Sequence, residues 1–227
     1  MNPMLRTCAL LTLTSTMLAL VACQKTEDAS AAPVNAASAA AASTARSVSS
    51  ADDSTTLRIV DASGTALVVL KPHDMEVRFG NGDKARTLHA QSQDDGKRKY
   101  ARQGEGVVME VKPGDDGFKL RSRDAHLLWK LKLKDSSIKI SDNEENARAI
   151  TLKINGNRIE VADNGKALGE VNFDGDKSRA RVTDAADKTV ATVQAKKNSA
   201  AFGLLLATRI PEAERAVLAL ELLARDL

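Results

Sequence analysis

The sequence has few of the residue types that build chemical sites. Aromatic residues make up only 3% of the 227 positions, which argues against aromatic cages and base-stacking platforms. Two Cys and three His leave almost no ligands for a clustered thiolate or imidazole metal site. The formal net charge of +3 is close to balance, so the composition implies no nucleic-acid partner.

Known catalytic motifs are also missing. His73, His89 and His126 are far apart in the sequence, and neither HExxH nor GxSxG occurs. Residues 80–85 fit the letters of the dinucleotide fingerprint, but they lie between two predicted strands and therefore predict a turn. We expect no enzyme, no catalytic residue, no metal and no cofactor. Acid–base residues that converge from distant strands are the alternative.

Acidic turns occur in three places, at residues 115–116, 142–145 and 174–176. A calcium site needs six to eight oxygen ligands at a defined spacing, and no single turn supplies them. Aspartate is also a common turn former, because its side chain accepts hydrogen bonds from nearby backbone amides. We therefore interpret these segments as turns.

The first residues carry the strongest signal in the chain. Arg6 precedes an apolar stretch, residues 7–21, that is too short to cross a bilayer, and Ala22 and Cys23 follow. This order is typical of a secretory signal peptide that is later removed. An ordinary signal peptide followed by a coincidental Cys is the alternative.

The tetrad Leu20-Val21-Ala22-Cys23 resembles the lipobox of bacterial lipoproteins. The resemblance implies that residues 1–22 are removed and that Cys23 is acylated, as with palmitate, to become a membrane anchor. Gln24 in place of Asp favours the outer membrane, with its periplasmic side favoured over the cell surface. Cys8 would be lost with the signal peptide, so the mature protein would hold no free thiol and no disulfide.

Residues 24–56 are dominated by Ala, Ser, Thr and Asp and contain almost no large apolar side chains. Such a segment buries too little surface to offset its ordering entropy. We expect a disordered tether after the lipidated Cys23, with roughly 30 Å between its ends.

A repeat occupies residues 57–198. Each copy has a short alternating strand, a polar turn and a second alternating strand, which predicts a β-hairpin. Seven copies predict up to about fourteen strands. The third copy fits least well, because Gly104 and Gly106 interrupt it. The copies begin near Leu57, Glu76, Lys97, Phe118, Ile138, Ile159 and Arg179.

Residues 199–227 predict a hydrophobic helical segment in the same domain. Ser199 is a candidate cap for residues 200–207, which are apolar on every side, and Pro211 fits the first turn of a second helix. A helix that is apolar nearly all round is buried in protein or in a membrane. We favour the protein core, with a helix lying on the membrane as the alternative.

This hairpin array and its hydrophobic C-terminal helix resemble the tubby C-terminal-like fold, which LURP-one-related proteins share. The resemblance implies a mainly β domain in which an antiparallel barrel encloses the helix. A rolled or open sheet with the helix across one face is the alternative architecture. Tubby domains bind phosphoinositides, but no residue-specific motif allows their lipid-binding residues to be carried over.

Alternating cations give the clearest candidate binding surface. If neighbouring strands pair, the cations share an outward face that could attract phosphates of lipid headgroups or lipopolysaccharide, at about 1 kcal/mol each. A solvated face, or lysines that discourage edge pairing, is the alternative. Asp124 and Asp135 flank this face and weaken its field. The cations are Lys119, Arg121, Arg123, Lys130, Lys132, Lys134 and Lys139.

These features together predict a membrane-anchored envelope lipoprotein of non-enzymatic binding type. Its partners would be the membrane that holds the anchor and an anionic lipid or another envelope component. A periplasmic scaffold that binds a protein partner is the second hypothesis, and an enzyme is the third.

Overall fold

Fourteen short strands form where the sequence alternates apolar and polar residues. The computed structural model describes residues 56–227, so the predicted signal peptide, the lipidated Cys23 and residues 24–55 of the tether lie outside the described residues. The strands are β1 Leu57–Val60, β2 Ala66–Lys71, β3 Glu76–Phe79, β4 Arg86–Ser92, β5 Arg98–Arg102, β6 Gly106–Gly114, β7 Gly117–Ser122, β8 Leu127–Lys134, β9 Ser137–Ser141, β10 Ile150–Asn155, β11 Arg158–Asp163, β12 Lys166–Asp174, β13 Arg179–Asp184 and β14 Thr189–Gln194.

Each strand pairs antiparallel with its neighbours in the sequence, and β1 also pairs with β14. The last pairing places Ile59 opposite Val193 and closes the sheet into a barrel. Closure confirms the predicted barrel and excludes the open sheet. The third repeat copy forms the hairpin β5–β6, with a register shift between Tyr100 and Ala101. Gly104 and Gly106 adopt positive φ angles of 81° and 74° around its turn.

The interior of the barrel is filled by the C-terminal residues. A 3₁₀ helix, Ala200–Leu206, contacts β10 to β13, and an α-helix, α1 Glu212–Ala224, contacts β2 and β3. The residues from Ala216 to Leu222 are all buried, together with the inward side chains of the strands. The described part of the chain contains no helix that is long and apolar enough to cross a membrane.

The sequence predicted a helix over residues 200–207 without specifying its type. In the structure this segment is the 3₁₀ helix Ala200–Leu206. Ser199 caps it as expected, since its Oγ accepts a hydrogen bond from the Ala201 amide at 3.2 Å. Gly203 faces the barrel wall, where an added Cβ would lie 3.0 Å from the side chains of Leu152 and Val161. Glycine therefore lets this backbone approach the strands closely. Pro211 precedes α1 as its cap residue and does not lie within the first turn.

One fully buried carboxylate, Glu221 of α1, links the helix to the barrel wall. Its oxygens accept hydrogen bonds from the Arg98 guanidinium at 2.6 Å and the Tyr100 hydroxyl at 2.7 Å. Arg225, one turn later, adds a contact at 3.3 Å and lies over the Phe118 ring at 4.7 Å. Burial, followed by the Glu221 charge, raises the pKa of Tyr100 well above its ordinary value, so the phenol stays protonated and donates.

A second link lies at the start of α1. The Trp129 indole on β8 donates a hydrogen bond to the Glu214 carboxylate. Arg209 lies 5.6 Å from the centre of the Trp129 ring and contacts Asp163 at 3.1 Å and Asp142 at 3.4 Å. The link before α1 and α1 itself are therefore fixed to several strands of the barrel.

Replacing Glu221 by Ala should destabilise the protein by about 3 kcal/mol, because it leaves the buried Tyr100 hydroxyl and two guanidinium groups without their carboxylate. The value is at the low end for buried ion pairs, since Arg98 and Arg225 are each about one quarter exposed. Denaturant unfolding measures the loss. The exposed Glu212→Ala control should cost less than about 1 kcal/mol, and an equal loss in both variants would contradict the role of Glu221.

Glu214 should make stability depend on pH. Burial raises its pKa, although the Trp129 hydrogen bond opposes the shift. The native state therefore holds this proton more tightly than the unfolded chain does. The free energy of unfolding should fall as pH rises from the ordinary Glu pKa through the raised one.

Glu214→Gln removes this titration, so its stability relative to the wild type should be higher at pH 7 than at pH 4. Thermal unfolding at the two pH values measures the difference. Glu212→Gln removes a charge from the same helical turn and should not show this gain. If Glu214→Gln raised the stability equally at both pH values, the raised pKa would not belong to Glu214.

Candidate anion-binding face

Lysines lie opposite one another on four neighbouring strands on the outside of the barrel, three in one row and two in a second row. Lys119 of β7 lies opposite Lys112 of β6 on one side and Lys130 of β8 on the other. Lys132 of β8 lies opposite Lys139 of β9. We call these five residues the basic face. Because like charges directly opposite one another destabilise a sheet, this arrangement has an energetic cost.

A shallow depression of about 220 Å³ lies on this face between β6, β7 and β8. Its rim carries Lys112, Lys119, Arg121 and Lys130. Gly117 allows the close approach of β7 to β8 beneath it, since its φ is 154° and an added Cβ would lie 2.1 Å from the Leu131 carbonyl oxygen. The backbone therefore requires glycine at one edge of the depression.

Two carboxylates partly neutralise the basic face. Glu144, in the loop between β9 and β10, lies 2.6 Å from Lys119 Nζ and 3.3 Å from Lys130 Nζ. Asp116 lies 2.7 Å from Lys132 Nζ. A hydrogen bond from Lys119 lowers the pKa of Glu144, and one from Lys132 lowers that of Asp116. Both acids are therefore ionised at neutral pH.

The structure brings together most of the cations that the sequence predicted. Arg121 belongs to β7 and donates a hydrogen bond to the Ala125 carbonyl at 2.7 Å. Lys134 ends β8 opposite Ser137. The prediction that Arg123 continues the alternation of β7 was wrong. The strand ends at Ser122, and Arg123 lies in the turn that follows. Within residues 56–227, neither Lys134 nor Lys139 forms an ion pair.

Sequence reasoning missed three members of this surface. Lys112 could have been found from the hairpin register, because Gly114 and Gly117 bracket the turn between β6 and β7. No sequence pattern indicated that Glu144 and Asp116 contact these lysines. The acids that contact the basic face are these two, whereas Asp124 and Asp135 form no hydrogen bond or ion pair within the described residues.

The histidines, residues 80–85 and the acidic segments that the sequence analysis considered do not form a common site. His89 lies 3.3 Å from Glu76, while His73 and His126 lie in turns of other hairpins. Residues 80–85 form a turn with a short 3₁₀ helix between β3 and β4, as predicted. Asp174 accepts a backbone hydrogen bond from Lys177 at 3.2 Å, as a turn former does. Residues 56–227 hold no cluster of three or more potential metal ligands.

Glu144→Gln should lower the melting temperature at low salt, because it leaves Lys119 and Lys130 facing each other without a counter-charge. Added salt screens this repulsion, so the deficit should shrink as ionic strength rises. Thermal unfolding at two salt concentrations measures it. The neighbouring Glu145→Gln change is the matched control, and the same salt-dependent deficit in both variants would contradict the pairing.

Comparison with known proteins offers no relative from which a role for the basic face could be taken. No family model, no curated protein and no solved structure matches the chain.

Proposed function

We propose that the protein is a lipid-anchored lipoprotein of the bacterial envelope that acts by binding, and that its barrel docks on anionic lipid through the basic face. Cys23 would hold the anchor, and the residues up to 56 would form the tether. The outer membrane is the favoured site. The observation that carries the proposal is the row of lysines opposite one another on β6, β7 and β8.

The proposal follows from the energetics of that row. Three lysines side by side lower the stability of the sheet. Glu144 offsets the repulsion between Lys119 and Lys130, and a bound anion would add the counter-charge that Lys112 lacks among residues 56–227. An anionic membrane surface contributes about 1 kcal/mol per cation that reaches it. Lys112 is exposed, and Lys119 and Lys130 keep 33% and 20% of their side chains accessible. The ammonium groups therefore remain within reach of lipid phosphates.

The fold agrees with this proposal. A closed barrel around a buried C-terminal helix is compatible with the proposed resemblance to tubby-like domains, which bind phosphoinositides. The corresponding ligand in a bacterial envelope would be an anionic phospholipid or the phosphate groups of lipopolysaccharide. Fold alone does not define a function, so the basic face remains the main argument.

One observation favours the second candidate, a scaffold that binds a protein partner. Glu144 and Asp116 give the basic face a pattern of mixed charge. Mixed charges complement a protein surface as well as a lipid surface, because they fix the orientation of a partner. In this case the tether would let the barrel reach its partner from the membrane.

Vesicle co-sedimentation tests the lipid proposal. The chain from residue 23 onward, with Cys23→Ser to remove the anchor, should sediment with anionic vesicles at low salt and less at near-physiological salt. It should not sediment with neutral vesicles. Changing Lys119 and Lys130 to Gln should weaken binding at least about tenfold, whereas Glu144→Gln should strengthen it by removing the resident anion.

The matched control changes two exposed lysines elsewhere, Lys188 and Lys196, to Gln. It should reduce binding much less than the Lys119 and Lys130 pair does. Equal losses would show only a general charge effect and would overturn docking through the basic face. Absence of binding at low salt would overturn the lipid proposal and favour the protein partner.

A further inference from the structure

An apolar cavity of about 120 Å³ lies at one mouth of the barrel. The start of α1 and the hairpin turns β1–β2 and β13–β14 surround this end. Ligand sites in barrels occur preferentially at such mouths. The cavity wall combines inward residues of β1, β2 and β14 with small residues of the helices: Ile59, Val68, Ala191, Ala201, Ala216 and Ala219.

The rim of the cavity is partly open to solvent. Leu67, Val190 and Leu205 are partly exposed there, and they extend the apolar surface outward. Two charged side chains, Glu212 and Arg215, are the polar members of the lining. A molecule that binds here would therefore bury an apolar part and meet a charge at the rim.

Arg215 differs from the other arginines that contact the helices. Arg98 and Arg225 both bond to Glu221, and Arg209 contacts two aspartates. The side chain of Arg215 forms no hydrogen bond or ion pair with any residue from 56 to 227, although it is partly buried. Burial lowers its pKa and the nearby Glu212 charge opposes that shift, but a guanidinium remains charged at neutral pH.

An unpaired cation at the edge of an apolar cavity is costly, and an anion that reaches it offsets the cost. A carboxylate matches the planar fork of a guanidinium and can accept two hydrogen bonds from it. The Glu212 charge at the same rim disfavours ligands with a second negative group. The charges at the rim therefore favour a ligand with a single negative group, and the apolar walls favour a ligand with an alkyl tail.

We propose that this cavity binds a short linear carboxylate, with its head on Arg215 and its tail among the alanines and aliphatic residues of the wall. The cavity volume equals about four water-sized groups. We therefore take pentanoate, with a tail of about four carbon atoms, as the ligand of matching size. The site does not depend on lipid docking, because it lies on β1, β2, β14 and the helices.

Calorimetric titration of the chain from residue 23, with Cys23→Ser, tests the site with carboxylates from acetate to decanoate. Affinity should rise about fourfold per methylene until the tail has about four carbons, and then level off. Pentanoate should reach a dissociation constant on the order of 1 mM. An unbroken rise to decanoate, or no saturable pentanoate binding by about 10 mM, would overturn the proposal.

Two variants separate the head and tail contributions. Arg215→Gln should weaken pentanoate binding about tenfold but leave the weaker binding of neutral pentanamide unchanged. Arg123→Gln, at an exposed arginine whose side chain has no partner among residues 56–227, is the matched control and should change neither. Ala219→Leu should fill the cavity and abolish binding of both ligands, with thermal unfolding as a check of its fold.

An equal effect of Arg215→Gln and Arg123→Gln on pentanoate would overturn the assignment of the head group. Vesicle binding through the basic face should be the same in Arg215→Gln as in the wild type. A failure of carboxylate binding is therefore distinguishable from a failure of lipid docking.

Discussion

A barrel of fourteen strands encloses more space than the side chains of its own strands can fill. Eight strands already enclose a space that side chains alone can fill, and more strands enclose a wider one. Here the 3₁₀ helix and α1 occupy that space, which explains why the C-terminal residues are apolar on nearly every side. Glu221 then fixes the orientation of α1, because its charge finds partners only at Arg98, Tyr100 and Arg225 among residues 56–227.

The filled interior determines where binding can occur. The outer strand faces and the barrel mouth remain accessible in the described part of the chain. The basic face has more cations than carboxylates, and the mouth carries Arg215 beside Glu212. On the basic face the lysines are fixed in register by backbone pairing, so their repulsion cannot relax by strand slippage. At the mouth, the position of Arg215 follows from the placement of α1. The closed sheet therefore positions the basic face directly and positions Arg215 through α1.

The sequence was sufficient to predict the features that depend on local patterns. Alternation located the hairpins, and the strands begin within one residue of the repeat starts, as at Lys97 and Arg98 for β5. The same alternation placed Lys119 beside Lys130 and Lys132 beside Lys139. Closure through β1 and β14, the Glu144 contacts and the unpaired Arg215 depend on residues far apart in sequence, and no single-sequence pattern encodes such contacts.

The pairing of the first strand with the last constrains the order of folding. Thirteen of the fourteen strand pairings join neighbours in the chain, so they can form early and independently. The pairing of Ile59 with Val193 must wait until both ends of the repeat array exist. The helices follow β14 in the chain, so they are synthesised after the hairpins that surround them. Until these helices pack inside the barrel, the inward apolar faces of the hairpins are exposed, which favours aggregation.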